Sequence, residues 1–135
     1  MSFNRALKDG LLTKTNALPA QDTNNDGASI DLAQVNLGPT GDHIELEISV
    51  PALPALANDQ TMTFTVQDSA DDSTFATLAG LSTLVLTGAG GTGAAAATRV
   101  VRLPRTTRRY IRVNAAASAT AGNNTAVSRT ISILV

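Results

Sequence analysis

Residues 88–93 read GAGGTG and match the glycine pattern G-x-G-x-x-G, which in dinucleotide-binding proteins lets the backbone approach a pyrophosphate. The same chemistry needs a helix that begins at the glycines and an acid about 20 residues further on to hold the ribose. Here the sequence returns to strand-like residues after a few alanines, and no acid occurs beyond Asp72. We therefore interpret the segment as a glycine-rich loop and predict no cofactor.

Two acidic loops carry oxygen atoms that could bind a cation. Residues 22–27 read DTNNDG, which resembles the opening of a calcium-binding loop, but the twelfth position is Ala33 where a bidentate carboxylate is required. Residues 68–72 bring three aspartates close together along the chain. Solvated carboxylates, or carboxylates matched with arginines, explain both loops, so we predict no metal site.

His43 is the only histidine, so a hydrolase would have to use it as the general base. It stands beside Asp42 at the start of a predicted strand. Glu45 and Glu47 project from the solvent face of that strand, where two carboxylates are ordinary. No G-x-S-x-G motif is present. We predict no catalytic residues, and a minor hydrolase that depends on His43 is the alternative.

Arginines dominate the second half of the chain and form the candidate interaction site. On a strand over residues 108–114, Arg108, Tyr110 and Arg112 share one face, while Ile111 and Val113 occupy the other. Two interpretations stay open: pairing with Glu45, Glu47 or the 68–72 loop, or a docking patch for another protein. The predicted interface residues are Arg99, Arg102, Arg105, Arg108, Arg109, Tyr110 and Arg112.

Charge is divided along the chain. Residues 1–72 contain all 11 acidic residues and three of the 10 basic ones, for a net charge of −8, whereas residues 73–135 carry seven arginines and no acid. The total of −1 and the presence of only four aromatic residues argue against direct nucleic-acid binding. The division predicts pairing between the two halves, with a second copy, or with a charged partner.

Alternation of apolar and polar residues predicts an all-β protein. The clearest strands are residues 44–50, 62–68 and 127–135, and weaker strands are predicted at residues 11–17, 29–33, 81–87, 98–103 and 108–114. In the last clear strand Arg129 stands among apolar residues, so we expect either a side chain that reaches water at a sheet edge or a bulge.

About eight short strands separated by turn residues favour an antiparallel β-sandwich of the jelly-roll type. Residues 1–28 are the least patterned, and we predict that they form an extended N-terminal arm with one weak strand. Residues 29–135 would form a single domain. The chain has no cysteine, no apolar run long enough to span a membrane and no apolar leader, so we expect assembly in a cytoplasm without membrane partners.

Several of these segments resemble the cement, or decoration, proteins of tailed bacteriophage capsids. The likeness lies in SIDL at residues 29–32, HIELEISV at 43–50, TFTVQDSADDSTF at 63–75 and RYIRVN at 109–114. The resemblance implies a jelly-roll domain on the outer surface of the virion. It also implies major capsid subunits as partners, self-association as a dimer or a trimer, and no catalytic residues.

A carbohydrate-binding or host-recognition module is the alternative function, since β-sandwiches commonly serve that role. Such sites expose tryptophan or tyrosine rings, and this chain has no tryptophan and only Tyr110.

Overall fold

The structure is a computed structural model that describes residues 8–32, 44–81, 83–104 and 107–134, with side chains from Leu12 onward. Within these residues the chain forms ten strands and no α-helix. The strands are β1 (Lys8–Ala17), β2 (Asn24–Asn25), β3 (Ile30–Asp31), β4 (Glu45–Val50), β5 (Thr61–Ser69), β6 (Ala76–Thr77), β7 (Leu84–Thr87), β8 (Ala97–Arg102), β9 (Tyr110–Ala117) and β10 (Ser128–Leu134).

Two antiparallel sheets contain all ten strands. The first, called here the β10 sheet, has the order β1-β10-β4-β8. The second, called the β9 sheet, has β9 beside β5, with β2 and β3 along the outer edge of β9 and with β6 and β7 along the outer edge of β5. β2 and β3 can be treated as one interrupted strand, and so can β6 and β7. Each sheet then has four strands, in the order found in a jelly roll. The prediction of an antiparallel jelly-roll sandwich is confirmed.

The core lies between the sheets because each strand turns its apolar residues inward. In β4 the residues Leu46, Ile48 and Val50 are buried, while the polar residues between them are partly exposed. From the β9 sheet, Phe64 of β5 and Ile111 of β9 are buried in the same core. A strand with one face in the core and one face in solvent needs apolar and polar residues in alternation. This alternation allowed the strands to be predicted from the sequence.

The weaker predictions also correspond to strands, with shifted ends. β1, β3, β7, β8 and β9 lie at the five predicted places, and β9 continues through the alanines to Ala117. The two-residue strands β2 and β6 were not predicted, since two residues are too few to show alternation. Of the segment predicted as an arm with one weak strand, residues 8–17 pair with β10 and residues 24–25 pair with β9. Residues 1–7 lie outside the described residues.

Both expectations for Arg129 are wrong. β10 is an inner strand between β1 and β4, and its pairing with β1 is regular from Ser128 to Ser132, so there is neither a sheet edge nor a bulge at Arg129. The side chain instead points into the sandwich, where the residue is 2% exposed.

No helix in the described ranges is long and apolar enough to cross a membrane.

Candidate interaction surface

The strand β9 presents its side chains as the sequence predicted. Ile111 and Val113 are buried in the core, whereas Tyr110 and Arg112 lie on the outer face and are partly exposed. Arg108 and Arg109 precede the strand and are exposed. β9 therefore places four of the predicted interface residues on or beside the outer face of the β9 sheet.

Arg108 is held by Asp68 at the end of β5. Its Nη2 atom donates to Asp68 Oδ1 at 2.8 Å and to the Asp68 carbonyl oxygen at 2.9 Å, and its backbone N–H donates to Asp68 Oδ2 at 2.9 Å. The Asp68 side chain is almost fully buried, while the Arg108 side chain is 42% exposed. The side-chain hydrogen bond from Arg108 holds the pKa of Asp68 below its usual value, although burial acts in the opposite direction.

Arg109 forms a two-pronged ion pair with Asp31 of β3. Its Nε and Nη2 atoms donate to the two carboxylate oxygens, each at 2.9 Å. These hydrogen bonds raise the pKa of Arg109 above its ordinary value. The guanidinium also lies 5.1 Å from the centre of the Tyr110 ring. The only tyrosine is thus in contact with an arginine of its own chain.

Arg112 is the most enclosed of the three paired arginines, with a side chain 20% exposed. Its Nε atom donates to Gln67 Oε1 at 2.8 Å, and its Nη2 atom lies 3.4 Å from Asp26 Oδ1. The guanidinium also stacks on Phe75, 3.9 Å from the ring centre. Arg112 therefore links β9, β5 and the loop after β2 on one outer face.

Internal pairing accounts for much of the division of charge along the chain. Each of these three arginines from the second half meets an aspartate from the first half. Pairing with Asp68 agrees with one of the two interpretations drawn from the sequence. Asp26 and Asp31 were missed as partners, because nothing in the spacing shows that β2 and β3 lie beside β9. Whether the same arginines also contact another protein stays a prediction.

Arg99 and Arg102 lie apart from that cluster, on β8 at the edge of the β10 sheet. Arg102 is in register with Glu45 on the outer face, whereas Arg99 is in register with Ile48 on the core side. Within the described part of the chain, no carboxylate pairs with Arg99. Between them Val100 is 46% exposed, and among the described side chains only Val85 is a second large apolar residue with such exposure. Arg105 lies outside the described residues.

Arg129 is the arginine whose role the sequence did not reveal. Its Nη1 atom donates to the carbonyl oxygen of Ala17 at 2.9 Å, and Nη2 donates to those of Asn25 at 3.0 Å and Val113 at 2.9 Å. Burial lowers the pKa of Arg129 to about 10, and the nearby charge of Asp26 opposes that shift. Arg129 thus carries a buried positive charge that is hydrogen-bonded to both sheets.

The candidate loops have structural roles within the chain. The glycine loop leads from β7 to β8 with no helix. A Cβ atom at Gly93 would collide with the backbone of Leu53, so the glycine permits a close approach of two chain segments. In the acidic loop, Asp71 Oδ1 accepts hydrogen bonds from Ser69, Ser73 and Thr74. Among the described residues no group of acids or histidines is arranged to hold a metal ion. His43 lies outside those residues.

A comparison with known protein families finds one match, the model of the Bbp16 family, over residues 13–128. The matched range runs from within β1 to the first residue of β10 and covers most of the sandwich. No curated protein matches the chain.

Proposed function

This chain belongs to the Bbp16 family, and we propose that it is a structural protein of a bacteriophage capsid. In this proposal it acts as a cement protein that binds the outside of the icosahedral head and bridges neighbouring major capsid subunits. It performs no catalysis in this role.

The observation that carries the proposal is the strand order of the two sheets. The resemblance of four sequence segments to cement proteins implies a jelly roll, and alternation alone does not specify which strands become neighbours. The structure has the jelly-roll order in both sheets. This order supports the proposal, because it is the fold that the resemblance implies.

Hydrogen bonds and an ion pair between distant segments of the sandwich suit a protein that must resist mechanical load. Arg129 joins the two sheets through backbone carbonyl groups, and Arg112 joins three segments on the outer face of the β9 sheet. A protein that bridges subunits transmits force through its own fold, so links across the sandwich reduce deformation. Self-association as a dimer or trimer would allow several weak contacts with the shell to add up to firm attachment.

The test is binding of the purified full-length chain to capsid shells that lack it. Sedimentation should show saturable binding with a fixed ratio to the major capsid subunit, and heated shells should release less DNA or protein when the chain is bound. A chain that stays in the supernatant at every concentration would contradict the proposal. A reproducible hit on a glycan array would instead favour the carbohydrate-binding alternative.

A further inference from the structure

We infer that the open edge of β8 binds an extended, acidic segment of a partner protein, which adds as a fifth strand to the β10 sheet. The inference deepens the proposed function by naming the contact and the chemistry of the partner segment. It rests on that function only in expecting the segment to belong to the shell protein.

The two sheets have four edges, and these differ in regularity. Exposed edges are usually protected by interruptions, bulges or charged residues, because a regular edge pairs readily with another chain. In the β9 sheet, one edge consists of β2 and β3, with two residues each, and the other of β6 and β7, with two and four. In the β10 sheet, the pairing of β1 with β10 shifts register between Lys8 and Thr13. These three edges are interrupted or irregular.

β8 differs from the other edge strands. It forms six consecutive pairs with β4, from Ala97 to Arg102, with no shift of register and no proline. The described residues provide no other neighbour for it. It is thus the longest regular edge in the described part of the sandwich.

Alternate residues of β8 direct their backbone N–H and C=O groups to the open side of the strand. Leu103, which follows β8, donates its N–H to the carbonyl oxygen of Ile44, which directly precedes β4. Alternate residues of an antiparallel strand bond to the same neighbour, so residues 97, 99 and 101 face β4. Thr98 and Val100 therefore direct their N–H and C=O groups away from the sheet. These groups can bond to an added strand.

An added strand would meet side chains of β8 on both faces of the sheet. Val100 is 46% exposed on the outer face and would gain an apolar neighbour. Arg99 lies at the rim on the core side and has no carboxylate partner within the described residues. It would face the new strand at a position without direct backbone bonds, where opposing Cα atoms are only about 4.5 Å apart. An aspartate or glutamate at the facing position would neutralise Arg99 as it loses water.

Charge also argues against a second copy as the occupant. Two β8 strands paired about Val100 would make the two Arg99 residues diagonal neighbours, about 7–8 Å apart and with their side chains on the same side of the sheet. Two like charges at the edge of the core would oppose each other there. An acidic segment of another protein can place an apolar residue beside Val100 and a carboxylate beside Arg99.

Peptide binding to the full-length chain tests this inference without the shell. The probes are two synthetic eight-residue peptides, one alternating valine with glutamate and the other alternating valine with lysine. Amide hydrogen exchange at Thr98 and Val100, measured by NMR, should slow on addition of the glutamate peptide. The lysine peptide should bind about tenfold more weakly or worse. In Arg99→Glu the preference of the two peptides should reverse.

Two variants control for the site. Val100→Pro removes an N–H that faces the open edge and should abolish protection while keeping the pairing with β4. Val85→Lys alters the other exposed valine, which is 47% exposed on β7, and should leave peptide binding unchanged. Failure of the glutamate peptide to protect Thr98 and Val100 would overturn the inference. So would protection that rises with the concentration of the chain alone, since that result indicates a second copy.

The shell assay separates this inference from the proposed function. If Val100→Pro binds shells as well as the unmodified chain does, the edge is not the contact, although the chain is still a shell-binding protein. If the unmodified chain binds the glutamate peptide but no shell, the edge is a binding site and the proposed function is wrong.

Discussion

The Nη2 atom of Arg129 donates a hydrogen bond of 2.9 Å to the carbonyl oxygen of Val113, which connects the β10 sheet to the β9 sheet through the middle of the sandwich. The same guanidinium also donates hydrogen bonds to the carbonyl oxygens of Ala17 and Asn25. One side chain thus satisfies three backbone acceptors from three strands.

Replacement of Arg129 by methionine should destabilise the fold. The apolar side chain avoids the cost of burying a charge, but three carbonyl groups lose their donor, and we expect a net loss of about 3 kcal/mol in the free energy of unfolding. Urea denaturation measures this loss. Arg99→Met, at the partly exposed rim of β8, is the control and should change stability by less than about 0.5 kcal/mol. Equal effects of the two substitutions would contradict the role given to Arg129.

Alanine at Gly27 should destabilise the fold more than alanine at Gly80. Both glycines have positive φ, +71° and +84°, so each substitution carries a backbone cost of about 1–2 kcal/mol. A Cβ atom at Gly27 would also lie 2.5 Å from Arg129 Nη2, whereas at Gly80 no atom lies within 4 Å. The difference between the two melting temperatures measures the crowding at Gly27, to which Asn16 Oδ1 at 3.1 Å from the added Cβ atom also contributes. In an Arg129→Met background that difference should shrink.

The carboxyl group of Asp71 should titrate near pH 2 in the folded chain. Its hydrogen bond from the backbone of Thr74, followed by those from Ser69 and Ser73, lowers its pKa from 3.8 to about 2. The folded state holds the proton of Asp71 less tightly than the unfolded state does. The hydrogen bonds to its carboxylate therefore stabilise the fold fully above pH 3.8, and this stabilisation is lost as the pH falls toward 2. NMR titration of the carboxyl carbon measures the shift, and Ser69→Ala should raise the pKa. A titration near 3.8 in the unmodified chain would contradict the hydrogen bonding described.

Asp68 should make acid unfolding depend on Arg108. Because the hydrogen bond from Arg108 lowers the pKa of Asp68, the contribution of the pair to stability is full above the ordinary value of 3.8 and disappears as the pH falls through the lowered pKa. Asp68→Asn should therefore lower stability at pH 7 and flatten the dependence on pH below about 4. Denaturation at several pH values measures both effects. Parallel stability curves for the two proteins would show that the pair contributes nothing.

Arg112 should matter more for folding than Arg109. Arg112 stacks on Phe75 and is 20% exposed, whereas Arg109 is 54% exposed and its pair with Asp31 is screened by water. We expect Arg112→Ala to cost about 1–2 kcal/mol and Arg109→Ala to cost less than about 1 kcal/mol. Thermal unfolding compares them. If Arg109→Ala keeps the fold and lowers shell binding, that arginine also contacts the partner.

The sequence predicted the long strands and the two-residue strand β3, but it missed the two-residue strands β2 and β6. Alternation needs four or more residues, so β4, β5 and β9 were visible, whereas Asn24–Asn25 and Ala76–Thr77 were not. These short strands complete the sheet edges only because β9 and β5 are already in place. Their position is determined by tertiary pairing and not by local preference.

The arginine site was predicted in part. The alternation of side chains along β9 correctly predicted that Tyr110 and Arg112 lie on the outer face. The partners of Arg109 and Arg112 could not be found, since Asp31 and Asp26 lie about 80 residues earlier and meet β9 only through the jelly-roll order. Arg129 was misread because a charged residue inside an apolar strand usually marks an irregularity. The carbonyl acceptors that allow it to be buried have no signature in the sequence.

The position of β10 between β1 and β4 has a consequence for synthesis of the protein on the ribosome. β10 is the last of the ten strands, yet it is the direct neighbour of the first strand and the fourth. While the ribosome still covers β10, the nascent chain exposes two strands whose shared partner is missing, and its first 72 residues carry a net charge of −8. The β10 sheet can therefore close only after β10 has left the ribosome, so its folding depends on contacts between distant parts of the chain.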